Sequence, residues 1–306
     1  MYEVAIGMPV WNGEAFLSQA IESILAQTYS DFQLVISDNA STDSTAEICR
    51  AYAKRDKRIR YIRQAKNIGA ARNYKEVFRR SSGRYFKWAA HDDVLSPTFV
   101  EECVRVLDAD ETVVLCSPAT VLINEDGSPL GYSSQHKAMV DDYGTKWPVT
   151  PEKNPLLTST DPTERFAAVL LDMYMCLEIF GLIRRSALER TSVQPSHVGG
   201  DKVLLAELSL IGPYYLLSET RDPLFYRRCH SGQFSNARSG SYRATWFSGK
   251  KSHMFSHQLQ LLAGYTRAAF SAELTLEQRC RCVSAIWRRA VTRGKPLKRM
   301  FVALVE

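Results

Sequence analysis

Asp38 and the pair Asp92-Asp93 are the residues whose type and placement could do chemistry. Asp38 ends the apolar run Phe32-Gln33-Leu34-Val35-Ile36-Ser37, and the pair follows Tyr85-Phe86-Lys87-Trp88-Ala89-Ala90-His91. In an open α/β sheet the carboxyl ends of the strands border a ligand crevice. Carboxylates gathered there can hold a divalent cation, which is the partner a diphosphate needs. Adjacent side chains on a strand point oppositely, but on a turn Asp92 and Asp93 can reach one ligand from two directions. The expected division gives Asp92 to a ribose hydroxyl and Asp93 to Mn2+ or Mg2+ among phosphate oxygens. A solvated loop before Pro97 would explain the polarity, but not two like charges held together behind an apolar strand. Asp38 could serve a helix-capping turn, although Ser41 or Asp43 meets that need better.

Three further segments carry suitable groups. Asn67-Ile68-Gly69-Ala70-Ala71-Arg72-Asn73 combines small residues with the donors Arg72 and Asn73, which suits either close helix packing or a ligand. Gly199-Gly200-Asp201 precedes Lys202-Val203-Leu204-Leu205. Asp201 there is either a helix cap or a general base. Tyr226-Arg227-Arg228-Cys229-His230 offers arginines against phosphate charge and an imidazole that could ligate a metal beside Asp93.

The elements that must position these groups follow from hydrophobic spacing. Val4 to Met8 reads as a strand ended by Pro9 and the Asn12-Gly13 turn signal. Phe16, Leu17, Ala20, Ile21, Ile24 and Leu25 recur at helical spacing. Strands are predicted at 34–37, 59–63, 85–89 and 113–116, with helices at 42–54, 70–80 and 97–107. Repeated β-α units of this kind imply a mostly parallel, Rossmann-like sheet flanked by helices. The stretch from Asn124 to Thr160 is rich in glycine and proline and lacks periodicity, as substrate-facing loops do. Beyond it, helices are expected at 162–171 and 202–210, and strands at 179–183, 214–217 and 224–227. Two more helices close the chain, one ending near Ala272 and one over 276–291.

The chain has 306 residues, 45% hydrophobic and 24% charged, which suits a globular protein with a substantial core. No stretch approaches eighteen uncharged apolar residues, and no signal segment opens the sequence, so a cytoplasmic location is expected. The seven cysteines are scattered, as reduced core thiols are. Much of the formal charge of +6 gathers late, where Arg288, Arg289, Arg293, Lys295, Lys298 and Arg299 lie near Trp287, Met300, Phe301 and Val302. That region could rest on the inner, anionic face of a membrane. Nucleic acid is not an expected partner, because no helix-turn-helix, zinc or stacking pattern accompanies the charge. Nothing in the pattern sets an oligomeric state.

The run Ile6-Gly7-Met8-Pro9-Val10-Trp11-Asn12, the segment Ala20 to Tyr29, and Leu34-Val35-Ile36-Ser37-Asp38-Asn39-Ala40-Ser41-Thr42-Asp43 resemble the inverting glycosyltransferases of family 2. The match extends to about Val121. It implies a GT-A type fold, with residues 1–235 as the catalytic domain and 236–306 as a C-terminal helical extension. Within it, 1–123 would bind the nucleotide sugar and 124–235 would serve the acceptor and the base. The resemblance assigns Asp38 to the nucleobase, Asp92 to ribose and Asp93 to metal, with Pro9, Val10 and Asn12 lining the base and ribose pocket. His91 stands where the family's first acidic residue usually lies and receives no part. Asp201, following an apolar strand, matches the base, though Gly200 replaces the usual glutamate before it. Arg227 and His230 look like the Arg-x-x-His element, which makes His230 the second metal candidate. The Gln-x-x-Arg-Trp motif of processive members is absent, which implies transfer of a single sugar. The expected reaction moves one sugar, from a UDP-sugar by preference, to a glycan or lipid-linked glycan in cell-surface polysaccharide or glycolipid synthesis. Two other readings are a sugar nucleotidyltransferase, which the loop Pro9 to Gly13 suits poorly, and a non-catalytic sugar-nucleotide or glycan-binding module.

Overall fold

The computed structural model describes residues 2–149, 154–173, 175–217, 223–232 and 254–293. The basic and apolar residues expected at a membrane beyond position 293, Lys295 to Val302, lie outside these.

A seven-stranded sheet forms the centre. It is built from β1 (Val4–Val10), β2 (Phe32–Asp38), β3 (Ile59–Arg63), β4 (Tyr85–Trp88), β6 (Leu115–Pro118), β11 (Leu182–Arg184) and β12 (Tyr214–Leu217), in the order β12-β6-β11-β4-β1-β2-β3. Six strands run parallel, while β11 lies antiparallel between β4 and β6, so the sheet is mixed. β5 (Val94–Leu95), β13 (Phe225–Arg228) and β7 (Thr120–Ile123) form a second, three-stranded sheet. β8 (Gly131–Ser133), β9 (Ala138–Val140) and β10 (Lys146–Trp147) form a small antiparallel sheet within the stretch that shows no periodicity.

The helices are α1 (Leu17–Leu25), α2 (Thr45–Arg55), α3 (Ala70–Arg79), α4 (Phe99–Ala109), α5 (Pro162–Leu171), α6 (Arg185–Leu188), α7 (Gly200–Ile211), α8 (Met254–Ser271) and α9 (Leu276–Arg293). Strand parity divides the core into two layers. Val4, Ile6 and Met8 of β1 join Leu17, Ile21 and Ile24 of α1 and Phe99, Cys103 and Leu107 of α4. On the other face, Ala5, Phe86 and Trp88 join Val77 of α3, Phe166 of α5, Leu204 of α7 and Tyr265 of α8. Gly7 lets α3 close on β1, since a Cβ there would lie 2.7 Å from Val77 Cγ2.

Two expectations need correction. Ile179 falls in a 3-10 turn, Leu177–Phe180, and only Leu182–Arg184 is strand, because Gly181 brings the backbone so close to Cys116 that a Cβ would lie 2.5 Å from its carbonyl oxygen. Asp201 follows no apolar strand; α6 and a run of turns precede it, and Gly199, with φ 77°, opens α7. The seven cysteines are all free thiols.

β1 lies between β2 and β4, so the chain leaves its carboxyl end toward one side and returns on the other. This is the switch point where α/β sheets bind ligands. The loops after β1 and β4 meet there, and a Cβ on Gly13 would lie 2.6 Å from the His91 ring.

Candidate active site

Asp38 ends β2 fully buried. Its Oδ1 accepts the Ser41 amide at 2.8 Å, its Oδ2 accepts the Tyr61 hydroxyl at 2.8 Å, and Arg63 Nη1 stands 3.5 Å from Oδ2. The carboxylate thus organises the loop that follows it, and a nucleobase reaching it would share or displace these donors. Asn12, at φ 51°, clamps the same loop. Its amide donates to Ser41 Oγ, and its Oδ1 accepts the Thr42 amide. Pro9 and Val10 are buried inside β1, paired with Ser37 and Asp38, and Val10 carbonyl accepts the Asn39 amide. Asn39 and Asn67 join through their side-chain amides and tie the loop before α3 to this one. Arg72 is exposed in the first turn of α3.

Asp92 and Asp93 leave β4 toward the end of β13. Asp93 Oδ1 accepts the Arg228 amide at 2.9 Å, and Asp92 Oδ2 lies 3.0 Å from His230 Nε2. His230 therefore meets Asp92 rather than Asp93, and that nitrogen is engaged. The two carboxyls differ in environment. Burial, then the charge of Asp92, pushes Asp93 well above the usual carboxylate range, against Arg227, the Arg228 amide and Lys87. Burial also works against the Asp92 carboxylate, but His91 and the His230 bond outweigh it and hold the group below its usual range. An acidic pair in this state suits a cation, which can take the place of a proton at Asp93. Among the described residues no group of three or more His, Cys, Asp or Glu side chains is arranged to hold a metal. The donors still fit Mg2+ or Mn2+, which take one or two carboxylates and fill their shells with phosphate oxygens and water.

Arg228 locks this corner. It is buried, its guanidinium donates to the carbonyls of Asp92, Asn124 and Glu125 and to Gln19 Oε1, and it lies 4.8 Å from the Phe16 ring centre. Arg227 takes the other direction, stacked 5.2 Å from the Trp147 ring centre, with its charge felt at Asp93.

Asp201 lies in the first turn of α7, where Gly199 holds the cap position, and Asp201 Oδ1 accepts the neighbouring Lys202 amide at 2.9 Å. Burial pushes its carboxyl up, opposed by the Lys202 amide and by a hydrogen bond from the Cys176 thiol. Tyr74 of α3 responds to this corner and to Asp201. Its phenol is driven well up by burial first, then by the charges of Asp92, Asp93 and Asp201, with Arg227 opposing. Sequence reading stopped at Asn73 and missed Tyr74, and it offered Arg228 with Arg227 against phosphate charge rather than as the residue that locks this corner. Lys87 carried the plainest unused signal, a lysine inside an apolar strand. It is wholly buried, with Nζ donating to the carbonyls of Phe180 and Trp88.

A helix-flanked mixed sheet with an acidic pair at its switch point defines an α/β protein built to bind a ligand over its strand ends. Residues 5–191 match Glycosyl transferase family 2, and the chain belongs to that family. It is 33% identical over 116 residues to an uncharacterised glycosyltransferase of Rickettsia typhi, covering 37% of this chain and 35% of that protein. Such alignments span only about a fifth to a third of the curated relatives' own lengths. Among solved structures, S. aureus TarS 1-349 in complex with UDP superimposes with a TM-score of 0.63 and 13% identity, over 96% of this chain and 73% of that one. The mannosyltransferase PcManGT from Pyrobaculum calidifontis, in complex with GDP-Man and Mn2+, gives 0.53 at 16%, over 99% and 80%. At such identities the likeness is one of fold.

Proposed function

We propose that this chain is a GT-A type, inverting glycosyltransferase that moves one sugar from a nucleoside diphosphate donor to a hydroxyl of a glycan or lipid-linked glycan. The observation that carries this reading is the acidic pair at the switch point of the sheet, with Asp93 Oδ1 accepting the Arg228 amide and Asp92 Oδ2 against His230 Nε2. The TarS complex with UDP supports UDP as the donor nucleotide, and the PcManGT complex supports a metal. In this reading residues 1–123 hold the donor, 124–235 hold the acceptor and the base, and 236–306 form an extension. A lipid-linked acceptor places the work at the cytoplasmic face of the cell membrane.

The donor base lies against Pro9, Val10, Asn12 and the loop that Asp38 organises, and Asp92 takes a ribose hydroxyl. Asp93 would hold Mn2+ or Mg2+, with His230, held against Asp92, as the second candidate ligand, and the ion would supply Lewis-acid neutralisation of the diphosphate. Arg227, stacked on Trp147 with its charge felt at Asp93, and Arg72, exposed in the first turn of α3, add positive charge for the same phosphates. Asp201 accepts the proton of the acceptor hydroxyl, which attacks the anomeric carbon opposite the nucleotide. Its burial raises its basicity toward that of an effective general base. One displacement inverts the configuration.

The test is Asp201→Asn, assayed for transfer and for donor binding with the donor chosen by a screen of nucleotide sugars. Transfer is expected to fall by about a hundredfold or more while donor affinity stays within about twofold. Full turnover in the variant would reject Asp201 as the base. An absence of nucleotide-sugar binding by the unaltered protein would reject the enzyme.

A further inference from the structure

α9 packs against α5 and α8 along one side. On that side Cys282 and Ala285 are buried, Arg281 pairs with Asp161 at 3.2 Å, and Arg289 donates to the Leu170 carbonyl. The opposite side is not the polar surface that an outer helix usually presents. Leu276, Val283, Trp287 and Val291 are 80%, 45%, 55% and 40% exposed. Their spacing of seven, four and four residues keeps them within one narrow stripe of a 3.6-residue helix, about 22 Å long at 1.5 Å per residue. Cys280, also exposed, falls in the same stripe, and Phe270 of α8, 54% exposed, lies beside it under the Arg279 guanidinium at 6.0 Å.

The borders of this stripe are basic. Arg279 flanks one side and exposed Arg288 the other, and α9 carries five arginines against the single acid Glu277. The next thirteen residues add Lys295, Lys298 and Arg299 and one acid, Glu306. Residues 276–306 therefore hold eight basic and two acidic side chains, an excess equal to the formal +6 of the whole chain. An apolar stripe between rows of arginine matches a surface that is apolar beneath a layer of negative charge. Among the described residues no helix is long and apolar enough to cross a membrane.

We propose that the outer face of α9 docks in the plane of an anionic lipid bilayer, with Leu276, Val283 and Val291 at the acyl boundary and the arginines among the headgroups. This deepens the reading of a lipid-linked acceptor by naming the surface that brings the site to it. It is measured without sugar transfer, so either idea can fail alone.

The full chain is sedimented with vesicles of phosphatidylcholine alone and of phosphatidylcholine mixed with phosphatidylglycerol, and its mass in solution is measured by light scattering. Binding is expected to be about tenfold or more tighter to the mixed vesicles and to weaken as salt is raised. The double variant Leu276→Asp, Val283→Asp, both at exposed positions, is expected to lose about tenfold or more of that binding, and Arg288→Glu a smaller part. UDP affinity should stay unchanged in both. Equal sedimentation with the two vesicle types, or undiminished binding by the double variant, would overturn the proposal. So would a dimer that the double variant splits, which would assign the stripe to a second copy of the chain. Vesicle binding that appears only after residues 294–306 are deleted would assign the stripe to that segment instead.

Discussion

Glu178 should make this protein less stable as pH rises through neutrality, and Glu178→Gln should abolish the effect. The residue sits in the 3-10 turn before β11, with its Oε2 enclosed and without a hydrogen-bond partner among the described residues. Burial raises its carboxyl from 4.5 to about 7, against its own backbone amide and the charge of Lys202. Because the folded form holds its proton more tightly than the unfolded chain, the folded protein binds more protons between those two values. Stability is then full below about pH 4.5 and is lost as pH rises through about 7. At about 1.4 kcal/mol per pH unit, the displacement amounts to about 3 kcal/mol, and solvent at the exposed part of the side chain trims it to about 2–3 kcal/mol. For a chain of this length that is roughly 3–5 °C in Tm. Scanning calorimetry should find Glu178→Gln close to the parent near about pH 5 and higher in Tm by this amount near about pH 8. A Tm difference that does not change between the two conditions would refute the reasoning, as would a variant less stable at the higher pH.

Gly13→Ala places a Cβ 2.6 Å from the His91 ring and 2.8 Å from Val10 Cγ2, so either the loop after β1 or the ring beside Asp92 must move. UDP affinity measured by calorimetry should fall about tenfold, with a stability loss of about 1–3 kcal/mol; unaltered affinity would separate this loop from the donor site. Arg228→Ala strips four buried or half-buried acceptors of their donor, and the urea midpoint should drop by an amount worth about 3 kcal/mol or more. A loss below about 1 kcal/mol would show that water replaces the guanidinium freely.

The donor half was legible in the sequence for a physical reason. Strands covered on both faces need continuous apolar runs, and Val4 to Met8 and Leu34 to Ile36 are such runs, while the Leu17 to Leu25 stripe has one buried face. Asp92 and Asp93 stood out because two like charges behind a buried strand demand compensation. The reversal of β11 was not legible. Three residues wedged between β4 and β6 carry no mark of direction, and the neighbouring Ile179 supplies the same apolar signal from a 3-10 turn. β8 to β10 escaped because short, mostly uncovered strands need no run of hydrophobic residues. Arg228 draws its meaning from Gln19, Asp92 and Asn124, all at least a hundred positions away, so no local pattern could separate it from Arg227. Its burial against Asp92, and the engagement of His230 by the same residue, came only from the fold.

The most direct test of the account is calorimetry of UDP with and without Mn2+, on the parent chain and on Asp93→Ala. The parent is expected to bind UDP at least about tenfold more tightly with the metal, and the variant to show no difference between the two conditions. A parent that binds no nucleotide diphosphate in either condition, or a variant that keeps the full metal effect, would contradict the claim that the acidic pair after β4 is the diphosphate site.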